Sequence, residues 1–132
     1  MNLDDGTFFG VRAPLVDLFD LRAHALSEDA ATAILPWSDR FLNAAGTISG
    51  PAIVALLDFT LAAAVRAHDP LRWRVATLDL STKFLKPGRS TLIAECRCEH
   101  RGSRTCFASG VVYDSEGDKI AIANGVFMLT QA

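Results

Sequence analysis

The chain has 132 residues, of which half are hydrophobic, and a formal net charge of −2 at pH 7. This length predicts one domain, 1–132, that is large enough to bury a core of its own. Because the charge is nearly balanced, neither nucleic acid nor a membrane surface is expected as a partner. Residues 1–10 contain two aspartates and no basic segment followed by an apolar run, so no signal peptide is expected.

Three cysteines, Cys96, Cys98 and Cys106, lie in segments that have the pattern of strands. Their odd number and their spacing fit neither a disulfide framework nor a zinc site. We expect them to pack as small buried hydrophobic residues in a reduced, cytoplasmic protein. The three histidines lie on separate predicted elements, so no metal site is expected, and neither is a cofactor.

The first part of the chain predicts a short helical turn and then two strands. Pro14 opens an apolar segment that ends near Asp20. Residues 21–27 and 30–37 are strand candidates, and the polar residues between them predict a hairpin. Pro36 predicts that the second strand ends there or lies at an edge of the sheet, because proline has no N–H group to donate.

After a loop at 38–46, residues 52–65 are nearly all aliphatic or aromatic and predict a helix that is buried on all sides. Asp58 is the only carboxylate in this segment. Because a buried, unpaired carboxylate costs several kcal/mol, we interpret Asp58 as a catalytic residue. The alternative is a structural carboxylate that caps a neighbouring loop or pairs across a dimer interface.

The start of this helix is a second candidate functional feature. Gly46 belongs to a flexible loop, Ser49 is suited to an N-cap, and Pro51 is suited to the first turn. A helix N-terminus presents free N–H groups and the positive end of the helix dipole, which favour an oxygen that gains negative charge. Asp58 follows Gly50 by about two helical turns, and the pair of features indicates an active site.

The second half of the chain changes to the alternation that is typical of strands. Turns at Pro87-Gly88, Gly102-Ser103 and Glu116-Gly117 separate four such segments, which are 76–84, 92–101, 107–113 and 120–130. In the third segment, Phe107, Val111 and Tyr113 fall on one face. Long strands joined by tight turns predict an antiparallel meander, and the buried helix is expected to cover its apolar face. The predicted fold class is therefore α+β, with a curved antiparallel sheet wrapped around one long central helix.

This architecture and this helix start resemble the hotdog superfamily, and within it the acyl-CoA thioesterases of the phenylacetic-acid-degradation (PaaI-like) type. The resemblance extends over about residues 21–129. Members carry an Asn, a Gly, then His-Gly-Gly, and a helix acid nine residues after that His. Asn43, Gly46, Gly50 and Asp58 match this pattern. The segment 77–87, with its Phe84-Leu85-Lys86-Pro87 ending, and the basic hairpin 100–104 are also similar to the family.

Two positions depart from the family pattern. Ser49 stands in place of the histidine, and Pro51 stands in place of the second glycine. Pro51 removes only an N–H group that a helix start leaves unpaired anyway, and Gly50 keeps the amide expected as the oxyanion donor. The hydroxyl of Ser49 forms hydrogen bonds but does not replace an imidazole. In some hotdog thioesterases, however, this histidine is thought to orient groups rather than to transfer protons.

The resemblance implies hydrolysis of an acyl-CoA thioester to a carboxylic acid and free CoA. Asp58 would be the general base or the nucleophile, and the Gly50 amide would bind the oxyanion. Asn43 would hold water or substrate, Thr77 would line the site, and Ser49 would assist the loop. Each of these three also has a purely structural interpretation, as a turn residue, a strand former and a helix cap respectively.

A further set of residues is expected to bind CoA. Basic side chains pair well with phosphates, although basic residues in hairpins are often only solvated. The set comprises Phe84, Leu85, Lys86, Arg89, Arg101, Gly102, Ser103 and Arg104.

Hotdog domains of this kind resemble obligate dimers, often paired into tetramers, with the site between two subunits. A homodimer or homotetramer is therefore expected, in which Asp58 and Gly50 of one site come from different chains. Two alternatives remain open. The chain is a non-catalytic acyl-CoA-binding or regulatory protein, or it is a hydroxyacyl-thioester dehydratase. The dehydratase is the weaker choice, because its chemistry pairs a loop histidine with the helix acid.

Overall fold

In the computed structural model, which describes residues 1–132, one sheet of six strands surrounds a long helix. The elements in chain order are α1 (Pro14–Leu18), β1 (Arg22–Leu26), β2 (Ala30–Leu35), a 3₁₀ turn (Asp39–Phe41), α2 (Gly50–Val65), β3 (Trp73–Phe84), β4 (Leu92–Arg101), β5 (Thr105–Tyr113) and β6 (Lys119–Gln131). The predicted α+β class, with one long helix against an antiparallel sheet, is confirmed. No helix has both the length and the apolar character that crossing a membrane requires.

The beginning of the chain folds as its pattern predicts. Pro14 opens α1, and β1 and β2 form an antiparallel hairpin. The backbone N–H of Ser27 donates to the carbonyl of Ala30 across the connection, at 2.9 Å. Strand β2 ends at Leu35, directly before Pro36. The prediction that Pro36 ends this strand is therefore confirmed.

The strand order corrects the predicted meander. The order is β1-β2-β4-β5-β6-β3, and every neighbouring pair is antiparallel. Of the four strands predicted to form the meander, only β4, β5 and β6 follow one another, whereas β3 lies beyond β6 at the edge. The connection after β3 is not a hairpin, because the N–H groups of Leu85 and Lys86 both donate to the carbonyl of Ile120 on β6. The chain then passes the loop before α2, where the N–H of Ile48 donates to the carbonyl of Gly88 at 2.9 Å.

The core lies between α2 and the inner face of the sheet. Leu56, Leu57 and Leu61 of α2 are completely buried. On β4 the alternation is as predicted, and its buried residues are Leu92, Ala94, Cys96 and Cys98. Strong burial of the helix explains why residues 52–65 are apolar in almost every position.

The face of β5 that meets the helix is the one opposite Phe107, Val111 and Tyr113. The buried residues are Cys106, Ala108, Gly110 and Val112, while Phe107 on the other face is 47% exposed. The reason is the close approach of neighbouring side chains. A Cβ atom at Gly110 would lie 2.5 Å from Cys96 Sγ and 3.4 Å from a Leu61 methyl group. Small residues are therefore required on this face, and the larger ones point outward.

All three cysteines are free and buried, which confirms the prediction that they pack as small hydrophobic residues. Burial raises the pKa of the Cys96, Cys98 and Cys106 thiols. A raised pKa disfavours the thiolate form that a cysteine nucleophile requires. None of the three is therefore suited to nucleophilic catalysis.

Strand β3 forms an exposed edge of the sheet. It pairs with β6 along one side only, so the N–H and C=O groups on its other side have no strand partner. The register shifts between Thr77 and Asp79, which makes Leu78 a bulged residue. Leu78 is 55% exposed, and most of the strand is exposed or half-buried. Strand β3 is thus more exposed in one chain than the alternation of residues 76–84 predicts.

Candidate functional site

The acid of the central helix faces the edge strand. The Thr77 hydroxyl on β3 donates a hydrogen bond to Asp58 Oδ1 at 2.7 Å. Asp58 is half-buried rather than buried, and it has this one partner, so the expectation of a buried and unpaired carboxylate is wrong. Its Oδ2 atom accepts no hydrogen bond within the chain. The structure therefore brings two of the predicted site residues into direct contact and leaves one carboxylate oxygen free.

The bulge at Leu78 positions Thr77. A bulge inserts one extra residue, bends its strand and redirects nearby side chains, and such irregularities are common beside active sites. Here Thr77 is opposite Phe127 and Asp79 is opposite Val126, with Leu78 between them and unpaired. The motif residue Thr77 lies directly before this irregularity.

At the start of α2, the hydrogen bonds leave one backbone donor free. Ser49 is the N-cap, and its Oγ accepts from the N–H of Ala52 at 3.4 Å. The Ser49 carbonyl accepts from the N–H of Ile53 at 3.2 Å. Pro51 has no N–H group, and the N–H of Gly50 has no acceptor. The free donor is thus the amide that the family resemblance assigns to the oxyanion.

Asn43 organises the loop before this helix start. Its Oδ1 atom accepts hydrogen bonds from the backbone N–H groups of Ala45 and Thr47, at 3.0 and 3.1 Å. Its Nδ2 group donates to the Thr47 hydroxyl at 2.9 Å. Gly46 in the same loop has φ +79°, a conformation that glycine adopts without strain. These contacts account for Asn43 as a turn residue, and its contact with substrate or water stays a prediction.

A cleft of about 360 Å³ lies beside the helix start. It is lined by Asn43, Gly50 and the segment Phe84-Leu85-Lys86, so the structure brings together motif residues from two distant parts of the sequence. The Phe84 ring is 53% exposed, and a Cβ atom at Gly50 would lie 3.5 Å from its Cζ atom. The predicted oxyanion donor is therefore adjacent to the predicted CoA-binding segment.

Of the basic residues predicted to bind CoA, only Lys86 lines this cleft. Lys86 approaches Asp118 Oδ2 at 3.9 Å, and Arg89 is exposed nearby. Arg101 is at the C-terminal end of α2, where it donates to the Val65 carbonyl and pairs with Asp29 at 2.6 Å. These contacts cap the helix and explain why an arginine occurs there.

The predicted site residues separate into two groups within one chain. The hairpin residues Gly102, Ser103 and Arg104 follow Arg101 and lie beyond the end of the 16-residue helix, which is about 24 Å long. Asp58 lies eight residues, or about 12 Å along the axis, from Gly50. Asp58 and Gly50 also line different cavities. Asp58 and the free Gly50 amide of one chain therefore do not contact the same substrate carbonyl group.

The residues that complete the cavity beside Asp58 were not predicted from the sequence. This cavity, of about 180 Å³, is lined in part by Phe8, Val11 and Arg66. Phe8 and Val11 flank a tight turn in which Phe9 and Gly10 both have positive φ. A Phe-Phe-Gly sequence in an otherwise polar segment is the signal that could have indicated an ordered turn.

Replacing Ser49 with Ala is expected to lower the free energy of unfolding by about 1 kcal/mol and to change turnover little. The reason is that the only hydrogen bond of the Ser49 hydroxyl is the one that caps α2. Urea unfolding together with steady-state kinetics measures both quantities. If activity falls while stability does not, the hydroxyl contacts substrate or water. Ser38→Ala, which removes the cap of the short 3₁₀ turn, is the matched control.

Comparisons with known proteins identify the fold. A family model described as the thioesterase superfamily matches residues 45–121. Among solved structures, thioesterase HI1161 from Haemophilus influenzae superposes with a TM-score of 0.87 at 18% identity, covering 99% of this chain and 92% of its own. The conserved protein PA5202 from Pseudomonas aeruginosa gives 0.85 at 21% identity, covering 92% and 97%. The E. coli PaaI protein from the phenylacetic acid degradation operon gives 0.82 at 18% identity, covering 89% and 85%. The predicted hotdog fold is thereby confirmed. A comparison with curated proteins gave no match.

Proposed function

Because the chain belongs to the thioesterase superfamily, we propose that it is an acyl-CoA thioesterase that hydrolyses its substrate to a carboxylic acid and free CoA. The observation that carries this proposal is the contact between Asp58 and Thr77, which both line one cavity. A carboxylate with one hydrogen-bonded oxygen and one free oxygen is suited to remove a proton from water or to attack a carbonyl carbon.

Asp58 performs the central step in one of two ways. As a general base it removes a proton from water, the water oxygen attacks the thioester carbon, and the proton passes to the departing CoA sulfur. As a nucleophile its carboxylate attacks the thioester carbon, CoA leaves, and water then hydrolyses the anhydride. In both routes the hydrogen bond from Thr77 to Oδ1 orients the carboxylate and leaves Oδ2 free.

The free amide of Gly50 binds the oxygen that becomes negative in the transition state. Its N–H group lies at the positive end of α2 and has no acceptor within the chain. Hydrogen-bond donors that are already positioned for the oxyanion typically increase turnover by a factor of about 10² to 10³. Ser49 contributes by capping the helix, which keeps the Gly50 amide in place.

The site is formed between two chains. Asp58 and Gly50 of one chain are about 12 Å apart along α2, which is too far for both to contact one thioester. The exposed edge strand β3, which carries Thr77, supports a pairing of β3 with β3 of a second copy across a twofold axis. A homodimer, or a tetramer of two such dimers, then provides each site with an acid from one chain and an amide from the other.

CoA binds across the cleft at the helix start. Phe84 and Leu85 are 53% and 50% exposed, and together they offer an apolar surface for the pantetheine arm. Lys86 and Arg89 lie next along the chain and provide positive charge for the phosphates. Arg104 is exposed and available for the same role in an assembly, whereas the Arg101 guanidinium is occupied at the end of α2.

A cytoplasmic location is part of the proposal. Its support is that all three cysteines are free and buried, with no disulfide between them. Unpaired thiols are typical of proteins in reducing compartments.

The second candidate function is binding of acyl-CoA without hydrolysis. The observation that favours it is the helix cap formed by Ser49 at the family's histidine position, since a capping hydroxyl does not replace an imidazole. A hydroxyacyl-thioester dehydratase is the weakest candidate for the same reason.

The proposal is tested by incubating the protein with a panel of acyl-CoAs and a reagent that reacts with free thiols. We expect release of CoA from at least one thioester at a rate well above the uncatalysed one, with free carboxylic acid as the second product. Calorimetric binding of the same thioesters without thiol release would contradict hydrolysis and support the binding function. Appearance of the absorbance of an enoyl thioester from a hydroxyacyl-CoA in the panel, without release of thiol, would instead identify a dehydratase.

A further inference from the structure

The cavity beside Asp58 extends away from the carboxylate along α2. Its walls are apolar and come from the N-terminal turn (Phe8 and Val11), from Phe59 of α2 and from Val75 of β3. Its volume is about 180 Å³. An apolar protein cavity of about 150 Å³ holds a benzene molecule. The cavity is therefore large enough for a short acyl group whose thioester lies at Asp58.

Two arginines stand at the far end of this cavity. Arg66, the C-cap of α2, follows Asp58 by eight residues, which is about 12 Å along the helix. Arg74 precedes Thr77 by three residues on β3, which is about 10 Å along the strand. Because Asp58 and Thr77 are in contact, the distances to Arg66 and to Arg74 are measured from the same point. Both arginines therefore lie at the same end of the cavity. The cavity thus has an acid at one end and two guanidinium groups at the other.

Neither arginine has an acidic partner. The three ion pairs of the chain involve other residues. Arg66 is only 4% exposed, and it donates to the backbone carbonyls of Phe8, Phe9 and Pro70 at 2.7 to 3.1 Å. These three bonds use three of its five N–H donors. A buried cation that is held by neutral carbonyls alone is costly, and an anion would offset that cost.

The electrostatic state of this end of the cavity agrees with an anion site. Burial, and secondarily the charge of Arg74, lower the pKa of Arg66 to about 10. Arg66 therefore remains positively charged at neutral pH, but burial disfavours its charged form. A bound anion would favour the charged form.

Building on the proposed thioesterase function, we propose that the acyl group taken by this cavity carries a carboxylate at its far end, so that the substrate is the CoA monothioester of a dicarboxylic acid of about six carbons. The length follows from the spacing of about 12 Å along the helix axis between positions 58 and 66. An extended six-carbon chain spans about 6 Å, and contacts of about 3 Å at each end bring the reach to about 12 Å. The thioester carbon then lies at Asp58 and the distal carboxylate lies at the two arginines.

The proposal is tested with two thioesters of equal chain length, hexanedioyl-CoA and hexanoyl-CoA. For the wild-type protein, kcat/KM is expected to be about 10- to 100-fold higher for hexanedioyl-CoA, which is the range of a hydrogen bond to a charged group. The difference should be mainly in KM, because the carboxylate contact exists in both the bound substrate and the transition state.

Arg74→Gln provides the decisive variant. Arg74 is exposed, and its side chain bonds only to the adjacent Trp73 carbonyl, so the replacement should not affect folding. We expect the ratio of the two kcat/KM values to fall at least several-fold in Arg74→Gln. In the control Arg72→Gln, which removes a neighbouring exposed arginine that does not line the cavity, the ratio should be unchanged.

The outcomes separate this inference from the function on which it rests. Hydrolysis of both thioesters with no preference, or with preference for hexanoyl-CoA, would overturn the carboxylate site and leave the thioesterase function intact. A preference that persists undiminished in Arg74→Gln would also overturn the assignment of the anion to this end of the cavity. Hydrolysis of another thioester in the panel but of neither six-carbon thioester would overturn the carboxylate site alone, and no hydrolysis of any thioester would overturn both.

Discussion

Replacement of Asp58 with Asn is expected to lower kcat by about 10²- to 10⁴-fold without changing the fold or the assembly. Asparagine has nearly the same shape as aspartate, and its side-chain oxygen can accept the hydrogen bond that Thr77 now donates to Oδ1. It cannot take a proton from water or attack a thioester as a carboxylate does. Thiol release at saturating acyl-CoA measures the loss, and thermal unfolding with light scattering measures fold and mass.

The matched control for this experiment is Asp69→Asn. Asp69 lies just beyond the end of α2, is exposed, and forms no side-chain hydrogen bond. The same chemical change there should leave kcat unchanged. A folded Asp58→Asn protein with wild-type turnover would show that the carboxylate is structural, and the thioesterase chemistry would then have to reside elsewhere.

Local patterns were sufficient to predict several elements of the fold. The apolar run 52–65 predicts a buried helix because its composition leaves no polar face. The alternation of β4 predicts its buried face because the strand period is two. Pro36 predicts the end of β2 because proline cannot continue the ladder. In each case the residues themselves determine the structure over a short stretch.

Features that depend on distant contacts could not be predicted in this way. The position of β3 at the edge depends on its pairing with β6, the last strand of the chain. On β5, Phe107 looks like a core residue, but Gly110 faces the helix because Cys96 and Leu61 leave no room for a larger side chain. No local pattern contains that information.

The candidate site, like the fold, was predictable only where local patterns determine it. The family motif at the start of α2 indicates Gly50 and Asp58. The strand that follows α2 indicates Thr77, although Thr77 is distant from both residues in the sequence. The contact between Thr77 and Asp58 and the bulge beside it are visible only in three dimensions. Arg66 was not predicted as a site residue, because an arginine directly after an apolar helix usually has its side chain in solvent. Its burial follows from the carbonyls of a turn more than fifty residues earlier.

Removing the Gly50 N–H group is expected to lower kcat by about 10²- to 10³-fold, the usual effect of losing one oxyanion donor. The double variant Gly50→Pro/Pro51→Ala achieves this by moving the proline back one position, where it still suits the first helical turn. Ser49 has φ −67° and ψ 150°, the extended conformation that a residue before proline prefers. Pro51→Ala alone is the control and should keep nearly full turnover.

These two inactive proteins also test the shared site. When Asp58→Asn chains and Gly50→Pro/Pro51→Ala chains are mixed, unfolded and refolded together, about half of the dimers should be mixed, and each mixed dimer should hold one intact site out of two. Activity should then recover to about a quarter of the wild-type value. The recovery has a physical cause, since the intact site combines Asp58 of one chain with the free Gly50 amide of the other. Native mass spectrometry of tagged chains confirms exchange, and light scattering gives the assembly size. An active monomer, or mixed dimers without recovered activity, would contradict a site formed between subunits.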